Sequence, residues 1–569
     1  MARRTKSKSN EATPGNPSPD PSLPTVAPHP FNQASADITL RTSDRVDFHV
    51  HSQILSQASP MFADMLSLPQ PSSASQDTNA VRPVIDVAED SKTLGRLLRL
   101  CYPIKKESLD MLDDVVPVFQ AAMKYDMEWP VSTLTADLVS NAPRSPLRTW
   151  AVASRCGMED LAQKAVESIL KKATSPLSQF RIHWEEEEEK EEEDEDPIPT
   201  PISPLSLLKT MLDEQGKEVL RGISAADYFR LREYLRAGDG HATTRLLSPP
   251  NSPSPSNPTP ERPALQDALI FSSPPPDTLL RCPDGLKIRV HAVILLLHSP
   301  LLGERLRAAT DSSASLRPNR PAATADDDTE SVSLEVDIDG ATLSALLAVV
   351  YGGNAQLPSD CHALGAVLAA AIRFGMAQVT ESAQGRWDSL SATSPLEAYF
   401  VAVEHGLTAH ARLAARKVLE RSIAGKYVPA MESGTALAYH HLLEYYQTCA
   451  RTIDARMKAA VASRTSDFTR TVDQDRYAYG LSCSRSLQGP AYVAQTYLSS
   501  LGRTMDTDSP GVGCSFDLTL SALLGKSSSV WPRCTASGCQ RYVEVLMKIS
   551  GELPQVVADA IAEVQLEIE

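Results

Sequence analysis

Residues 36–62, ADITLRTSDRVDFHVHSQILSQASPMF, and residues 277–302, DTLLRCPDGLKIRVHAVILLLHSPLL, decide how this 569-residue chain is to be read. Offset by 240, residues 37–60 and 277–300 share ten identities in 24 positions: Asp37/Asp277, Leu40/Leu280, Arg41/Arg281, Asp44/Asp284, Val50/Val290, His51/His291, Ile54/Ile294, Leu55/Leu295, Ser59/Ser299 and Pro60/Pro300. An internal repeat governs the reading of everything between its copies. In each copy apolar residues alternate with polar ones after an Asp-marked turn (Val46, Phe48, Val50; Leu286, Ile288, Val290), the pattern of a half-buried strand. Two short helical stretches follow.

Further along, the offset becomes 249 and holds. Val87/Val336, Leu94/Leu343, Leu97/Leu346, Leu98/Leu347 and Tyr102/Tyr351 pair, then Val118/Val367, Ala121/Ala370, Ala122/Ala371, Met127/Met376, Ser145/Ser394, Pro146/Pro395, Leu147/Leu396 and Gly157/Gly406. The nine extra residues fall in a Ser-, Ala- and Asp-rich stretch of the second copy, as an exposed loop tolerates. A strand at 84–87, or 332–336, is expected next, then a helix carrying Leu94, Leu97, Leu98 and Cys101 on one face. Another helix is expected to begin at Asp114 as its N-cap, with Pro117 in the first turn. The pattern predicts an α+β unit, a small sheet covered by a helical cluster, occurring twice.

These residues resemble the opening of a BTB/POZ domain: an Asp before the first strand (Asp37, Asp277), then the His, Leu, Ser and Phe of the first helices at His51, Leu55, Ser59 and Phe62, answered by His291, Leu295, Ser299 and Leu302. The segments after residues 145 and 394 resemble the helical pair that trails such domains. A later fragment also recurs, Tyr228, Leu231, Glu233 and Tyr234 answering Tyr439, Leu442, Glu444 and Tyr445. The arrangement is similar to the BTB-containing proteins that fungi, mushrooms especially, encode in expanded numbers. The resemblance implies a protein-binding adaptor or scaffold, with BTB units pairing within one chain or as a homo-oligomer. It also implies two alternatives, a substrate adaptor of a cullin-based ubiquitin ligase and a transcription-related regulator. The charged pocket of the transcription-factor BTB domains needs a Lys or Arg after the His, where this chain has Ser52 and Ala292.

Domain limits follow. Residues 1–34 are expected to be a disordered tail, 35–140 the first BTB-like domain, 141–180 trailing helices, 181–206 an acidic and Pro-rich linker, and 207–242 a helical segment. A Pro/Ser-rich linker at 243–274 leads to the second BTB-like domain at 275–390, with a disordered insert near 308–330. Trailing helices at 391–450 and a mainly helical region at 451–569 complete the chain.

The net charge of −16 owes −10 to residues 185–196, which hold eleven carboxylates and one lysine. Such a run is a self-repelling spacer, or a patch for a basic partner such as a histone tail. The remainder lacks the basic surface of a nucleic-acid binder, although Arg3, Arg4, Lys6 and Lys8 form a small basic cluster. No signal-like or membrane-spanning apolar run occurs, and nine cysteines without regular spacing fit a reducing compartment, so cytoplasm or nucleus is expected. No catalytic residue emerges. His51 and His291 read as helix-start framework; Gly525-Lys526-Ser527 lacks the leading glycine of a phosphate loop; Glu404, His405 and His410 lack zinc-binding spacing. No cofactor is expected beyond structural zinc. Four thiolates, Cys483, Cys514, Cys534 and Cys539, suffice in number for a Cys₄ site, although only one pair is close in sequence and buried free cysteines are common.

Overall fold

A computed structural model describes residues 24–67, 82–105, 112–174, 203–238, 245–248, 276–315, 332–352, 357–420, 423, 425–479, 551–552 and 554–568. The chain divides into two compact units, 1–214 and 215–569.

The first unit is built on a four-stranded sheet, with β1 (Thr25–Val26), β2 (Ile38–Arg41), β3 (Val46–Val50) and β4 (Val84–Asp86) in the order β1-β3-β2-β4. Strand β2 pairs antiparallel with β3, Leu40 opposite Phe48, and parallel with β4. The alternation in the sequence survives as burial: Phe48 and Val50 face the core while Asp47 and His49 are half-buried. Helices α1 (Ser52–Ala58), α2 (Pro60–Ser67), α3 (Ser91–Cys101), α4 (Leu112–Lys124) and α5 (Glu128–Asn141) accompany the sheet. Their inward residues, Leu55, Phe62, Leu94, Leu97, Leu98, Val118 and Phe119, form one apolar cluster with Leu40, Phe48 and Val50. Asp90 caps α3, accepting the Thr93 N–H at 2.7 Å. The trailing pair is α6 (Pro146–Arg155) and α7 (Glu159–Thr174), with Trp150 fully buried between apolar neighbours; α8 (Pro204–Gln215) follows.

Two sequence expectations need correction in this unit. Ordered structure begins before residue 35: β1 pairs parallel with β3, and Ala27 and Phe31 belong to the core cluster. A two-residue strand in a proline-rich run has no periodicity to announce it. Helix α4 starts at Leu112, so Asp114 lies inside it and is not its N-cap. Its carboxylate instead meets Arg96 and Lys92 of α3, each at 2.6 Å.

In the second unit a 3₁₀ turn (Lys217–Leu220) leads to α9 (Ala225–Ala237). A three-stranded sheet follows, β5 (Thr278–Arg281), β6 (Lys287–Val290) and β7 (Val332–Glu335), in the order β6-β5-β7. Strand β5 is central, antiparallel to β6 and parallel to β7, with Leu280 opposite Ile288 and Leu334. Helices α10 (Ala292–His298), α11 (Pro300–Ser315), α12 (Gly340–Val350), α13 (Cys361–Arg373) and α14 (Ala377–Thr393) come in the same order as α1 to α5. Their core holds Leu295, Leu302, Leu343, Leu346, Leu347, Val367 and Phe374. Asp339 caps α12 as Asp90 caps α3, accepting from Thr342 N–H at 2.8 Å. Helices α15 (Pro395–Glu404) and α16 (Thr408–Val418) form the trailing pair, and α17 (Ala436–Tyr479) is a long helix.

Both units leave α4 or α13 through a left-handed residue, Asp126 (φ 51°) or Gly375 (φ 67°). The N–H three residues past the helix then reaches back, Met127 to Ala122 and Met376 to Ala371, both at 2.9 Å. Here also two expectations shift. The segment expected to be disordered from 308 is helical to Ser315, as the continuation of α11 from a start anchored by the buried Leu302 and Leu306. The linker expected at 243–274 contains Leu246 and Leu247, both buried.

Candidate functional site

The residues that carried the resemblance meet around the starts of α1 and α10. His51 ends β3's run and precedes α1, whose first N–H groups have no partner within the helix. No side chain at position 51 caps them. Asp37, fifteen residues before Ser52, does so: Oδ1 accepts the Ser52 N–H at 2.8 Å, and the Ser52 hydroxyl donates to Oδ2. Burial pushes the Asp37 carboxyl upward, but these bonds from Ser52 outweigh it and leave the pKa below its ordinary value. Asp277 does the same in the second unit, accepting the Ala292 N–H at 2.7 Å.

The histidines are held by tyrosines. His51 N–H donates to the Tyr102 hydroxyl at 2.9 Å, and His291 N–H to Tyr351 at 2.9 Å, with the ring Nδ1 3.5 and 3.0 Å from the same hydroxyls. Tyr102 is packed edge-on against Phe31, their centroids 5.4 Å apart. Ser59 and Ser299 are fully buried. The Ser59 hydroxyl donates to the Tyr125 carbonyl and accepts the Phe62 N–H at 3.0 Å; Ser299 donates to the Phe374 carbonyl at 2.7 Å and accepts from Leu302 at 3.2 Å. Phe62 stacks on Tyr125 at 4.8 Å, and Leu55 in the first unit and Leu295 in the second are buried each in its own core. Asp37, His51, Leu55, Ser59, Phe62, Asp277, His291, Leu295 and Ser299 therefore join the elements of their own unit by hydrogen bonds and apolar contact.

The Ser59 hydroxyl bond to a carbonyl 66 residues away fixes the α1–α2 junction against the end of α4. The tyrosines at 102 and 351 complete that frame; their identity across the offset of 249 was the signal for them.

Apolar exposure is where the two units differ. On α10, Val293 is 56% and Leu297 72% exposed, with Leu296 between them at 38%. Four residues apart, Val293 and Leu297 share one side of the helix. The matching positions on α1 are Gln53, Ser56 and Gln57. Exposed apolar groups gathered on one helix make this face a candidate contact surface. Its signal was the run AVILLL against SQILSQ. In the first unit Trp129, at the start of α5, is 65% exposed.

The other sequence candidates fall apart or fall outside. Glu404 accepts from His362 Nε2 at 3.1 Å, His405 lies against His362, and His410 pairs with Gln384 at 2.6 Å. No cluster of three metal-ligating side chains occurs among the described residues. Cys483, Cys514, Cys534 and Cys539, Gly525-Lys526-Ser527, the acidic run and the basic cluster near the N-terminus lie outside the described residues. Cys101, Cys156, Cys282 and Cys361 are in no disulfide, and burial holds Cys101 up at about 11 and Cys156 at about 12, far from reactive thiolates.

A strand–strand–helix–helix opening, a parallel β4 returning beside β2, and three further helices make up residues 27–141. Residues 29–142 match the family model of the BTB/POZ domain. The chain carries a BTB/POZ domain. Its matched start lies two residues before Phe31, which seals the Tyr102 face, and its end coincides with the end of α5. BTB/POZ domains mediate protein partnering and dimerisation, and this domain is a protein-interaction module. No curated protein matches the chain. No helix among the described residues is long and apolar enough to cross a membrane.

Proposed function

We propose that the chain is a non-enzymatic adaptor that presents two BTB/POZ units, the matched domain and a second at residues 275–390, in the cytoplasm or nucleus. The observation that carries the reading is the bond-for-bond agreement between the two frames. Asp37 and Asp277 cap the same helix start, Tyr102 and Tyr351 take the same histidine N–H, and Ser59 and Ser299 bridge the same two backbone groups. Bonds between residues 51 to 75 positions apart arise together only when the same elements are assembled in the same way.

We read the two copies as pairing in cis, a reading supported by the contact between their trailing helices. Helix α9, which trails the first copy in sequence, packs on α17, which trails the second, within the second unit. The contact is self-complementary: Ala225 N–H donates to Gly434 at 2.7 Å and Ala436 N–H to Ile223 at 2.8 Å, about an antiparallel bridge between Ser224 and Thr435. This is the form of a two-fold dimer contact made within one polypeptide.

The tests are two. Light scattering across a concentration series should return the monomer mass at every dilution; a concentration-independent dimer would overturn cis pairing. Affinity capture with the full chain, and with chains lacking 35–140 or 275–390, should lose different partners with each deletion. Identical partner sets for both deletions would overturn the two-unit adaptor, and a cullin scaffold among the partners would select the ubiquitin-ligase alternative.

A further inference from the structure

Residues 245–248 are pinned to the second unit by Ser248. Leu246 and Leu247 are buried, and Ser248 closes the segment at a charged cluster. Its N–H donates to Asp227 Oδ1 at 2.8 Å, and its hydroxyl stands 2.8 Å from Asp227 Oδ1, 2.5 Å from Glu432 Oε2 and 2.9 Å from Arg230 Nη1. Having one proton, the hydroxyl donates to one carboxylate and accepts from Arg230. Arg230 bonds both carboxylates, Asp227 at 3.1 Å and Glu432 through Nη2, and the Tyr427 hydroxyl donates to Glu432 at 2.7 Å. Burial drives the Glu432 carboxyl upward, yet the bonds from Ser248, Tyr427 and Arg230 outweigh it and keep it ionised. Two carboxylates thus face one guanidinium, and Ser248 fits because its hydroxyl is small, neutral and able to donate.

The sequence places this serine in a particular context. Ser248 is followed by Pro249, the first of a series that continues with Ser252-Pro253, Ser254-Pro255 and Thr259-Pro260. A serine followed by proline, an extended dipeptide, is the substrate form of proline-directed protein kinases.

We propose that Ser248 is a phosphorylation site whose modification opens this clasp. The Ser248 hydroxyl oxygen attacks the γ-phosphorus of ATP on the kinase. The O–P bond forms as the bond from that phosphorus to the β–γ bridging oxygen breaks; ADP leaves with the electron pair, and the hydroxyl proton passes to the kinase's base. The product carries about 1.5 to 2 negative charges and three more oxygens. Returning it to its place sets those charges against Asp227 and Glu432, with Arg230 already engaged by both. The clasp stays open, and the segment carrying Leu246 and Leu247 leaves its apolar seat. The site is independent of the BTB reading, since it needs only α9 and the residues before α17.

The test uses the full-length chain, with Ser252, Ser254 and Thr259 replaced by alanine, incubated with a proline-directed kinase and ATP. Phosphopeptide mapping should find phosphate on Ser248. Hydrogen–deuterium exchange across residues 245–248 should then quicken by about tenfold or more, while exchange in α12 and α13 stays the same. S248E should reproduce the change and S248A fall well short of it, because alanine removes bonds without adding charge. Absence of phosphate at Ser248, phosphorylation without faster exchange, or equal effects of S248A and S248E would each overturn the proposal.

Discussion

Ser224 and Thr435 face each other in an antiparallel bridge, and each is the N-cap of the helix that follows it. The Ser224 hydroxyl accepts the Asp227 N–H at 3.0 Å, and the Thr435 hydroxyl accepts the Ala438 N–H at 3.1 Å. Four residues further on, Tyr228 and Tyr439 meet edge to face at 5.9 Å. Removing either cap strips a helix start and loosens the bridge at the same point. Ser224→Ala and Thr435→Ala are each expected to lower stability by about 1 kcal/mol, read from urea unfolding of the full chain. A double variant no worse than the singles would show that the bridge acts as one element.

The buried serines make a sharper prediction. Ser59→Ala leaves the Tyr125 carbonyl and the Phe62 N–H without their shared partner inside the core, and Ser299→Ala does the same to Phe374 and Leu302. Each is expected to cost about 1–3 kcal/mol. Denaturant melts that show no shift for either would remove the serine bridge as a determinant of the fold.

The left-handed exit from α4 offers a gain. Asp126 occupies a conformation that the second copy assigns to Gly375. Asp126→Gly is expected to be neutral or to stabilise by about 0.5 kcal/mol, and Gly375→Ala to destabilise by about 1 kcal/mol, by thermal unfolding. Asp126→Gly destabilising as much as Gly375→Ala would contradict the strain argument.

Acid should loosen the arm contact. His440 is buried, its Nδ1 accepting from the Tyr228 hydroxyl at 3.1 Å. Burial holds its pKa down at about 4, against the upward pull of Glu444 and with Lys217, Arg232 and His441 adding to the depression. A depressed histidine lends stability that is complete above its ordinary pKa of 6.5 and is lost as pH falls from there toward 4. Melting temperature should therefore drop between pH 7 and pH 4.5, and His440→Gln should flatten that part of the profile. An unchanged slope in the variant would assign the drop to other groups.

Surface function is separable from stability on α10. Val293→Ser with Leu297→Ser should leave the unfolding free energy within about 1 kcal/mol of the parent's, since both side chains are largely exposed. Partner capture by the full chain should fall. Retained capture with every partner would show that this face is not a contact.

How much of this could be read beforehand is clear from particular residues. The alternation Val46, Phe48, Val50, the Asp44 turn and the helix faces of Leu94, Leu97 and Leu98 are local signals with fixed periods, and they became β3, its turn and α3. Asp114 misled because a carboxylate before a proline fits a cap on local grounds; Arg96 and Lys92, on the preceding helix, claimed it instead and pull its carboxyl down to about 2. Strand β1 and the buried Leu246 and Leu247 gave no warning, because short extended segments in proline-rich surroundings are ordered only by what they touch.

The sequence alone determined the order from β3 to α4 in the first unit and the repetition of its key residues, since periodicity and identity at a constant offset are properties of the chain. It also determined that histidine and serine recur with no third group, which argued for framework. Only the tertiary structure decided that Asp37 caps a helix fifteen residues away, that Tyr102 holds His51, that α9 pairs with α17 across the bridge, and that Ser248 sits between two carboxylates. These are bonds between residues far apart in the chain, and their partners are chosen by packing, which no local pattern encodes.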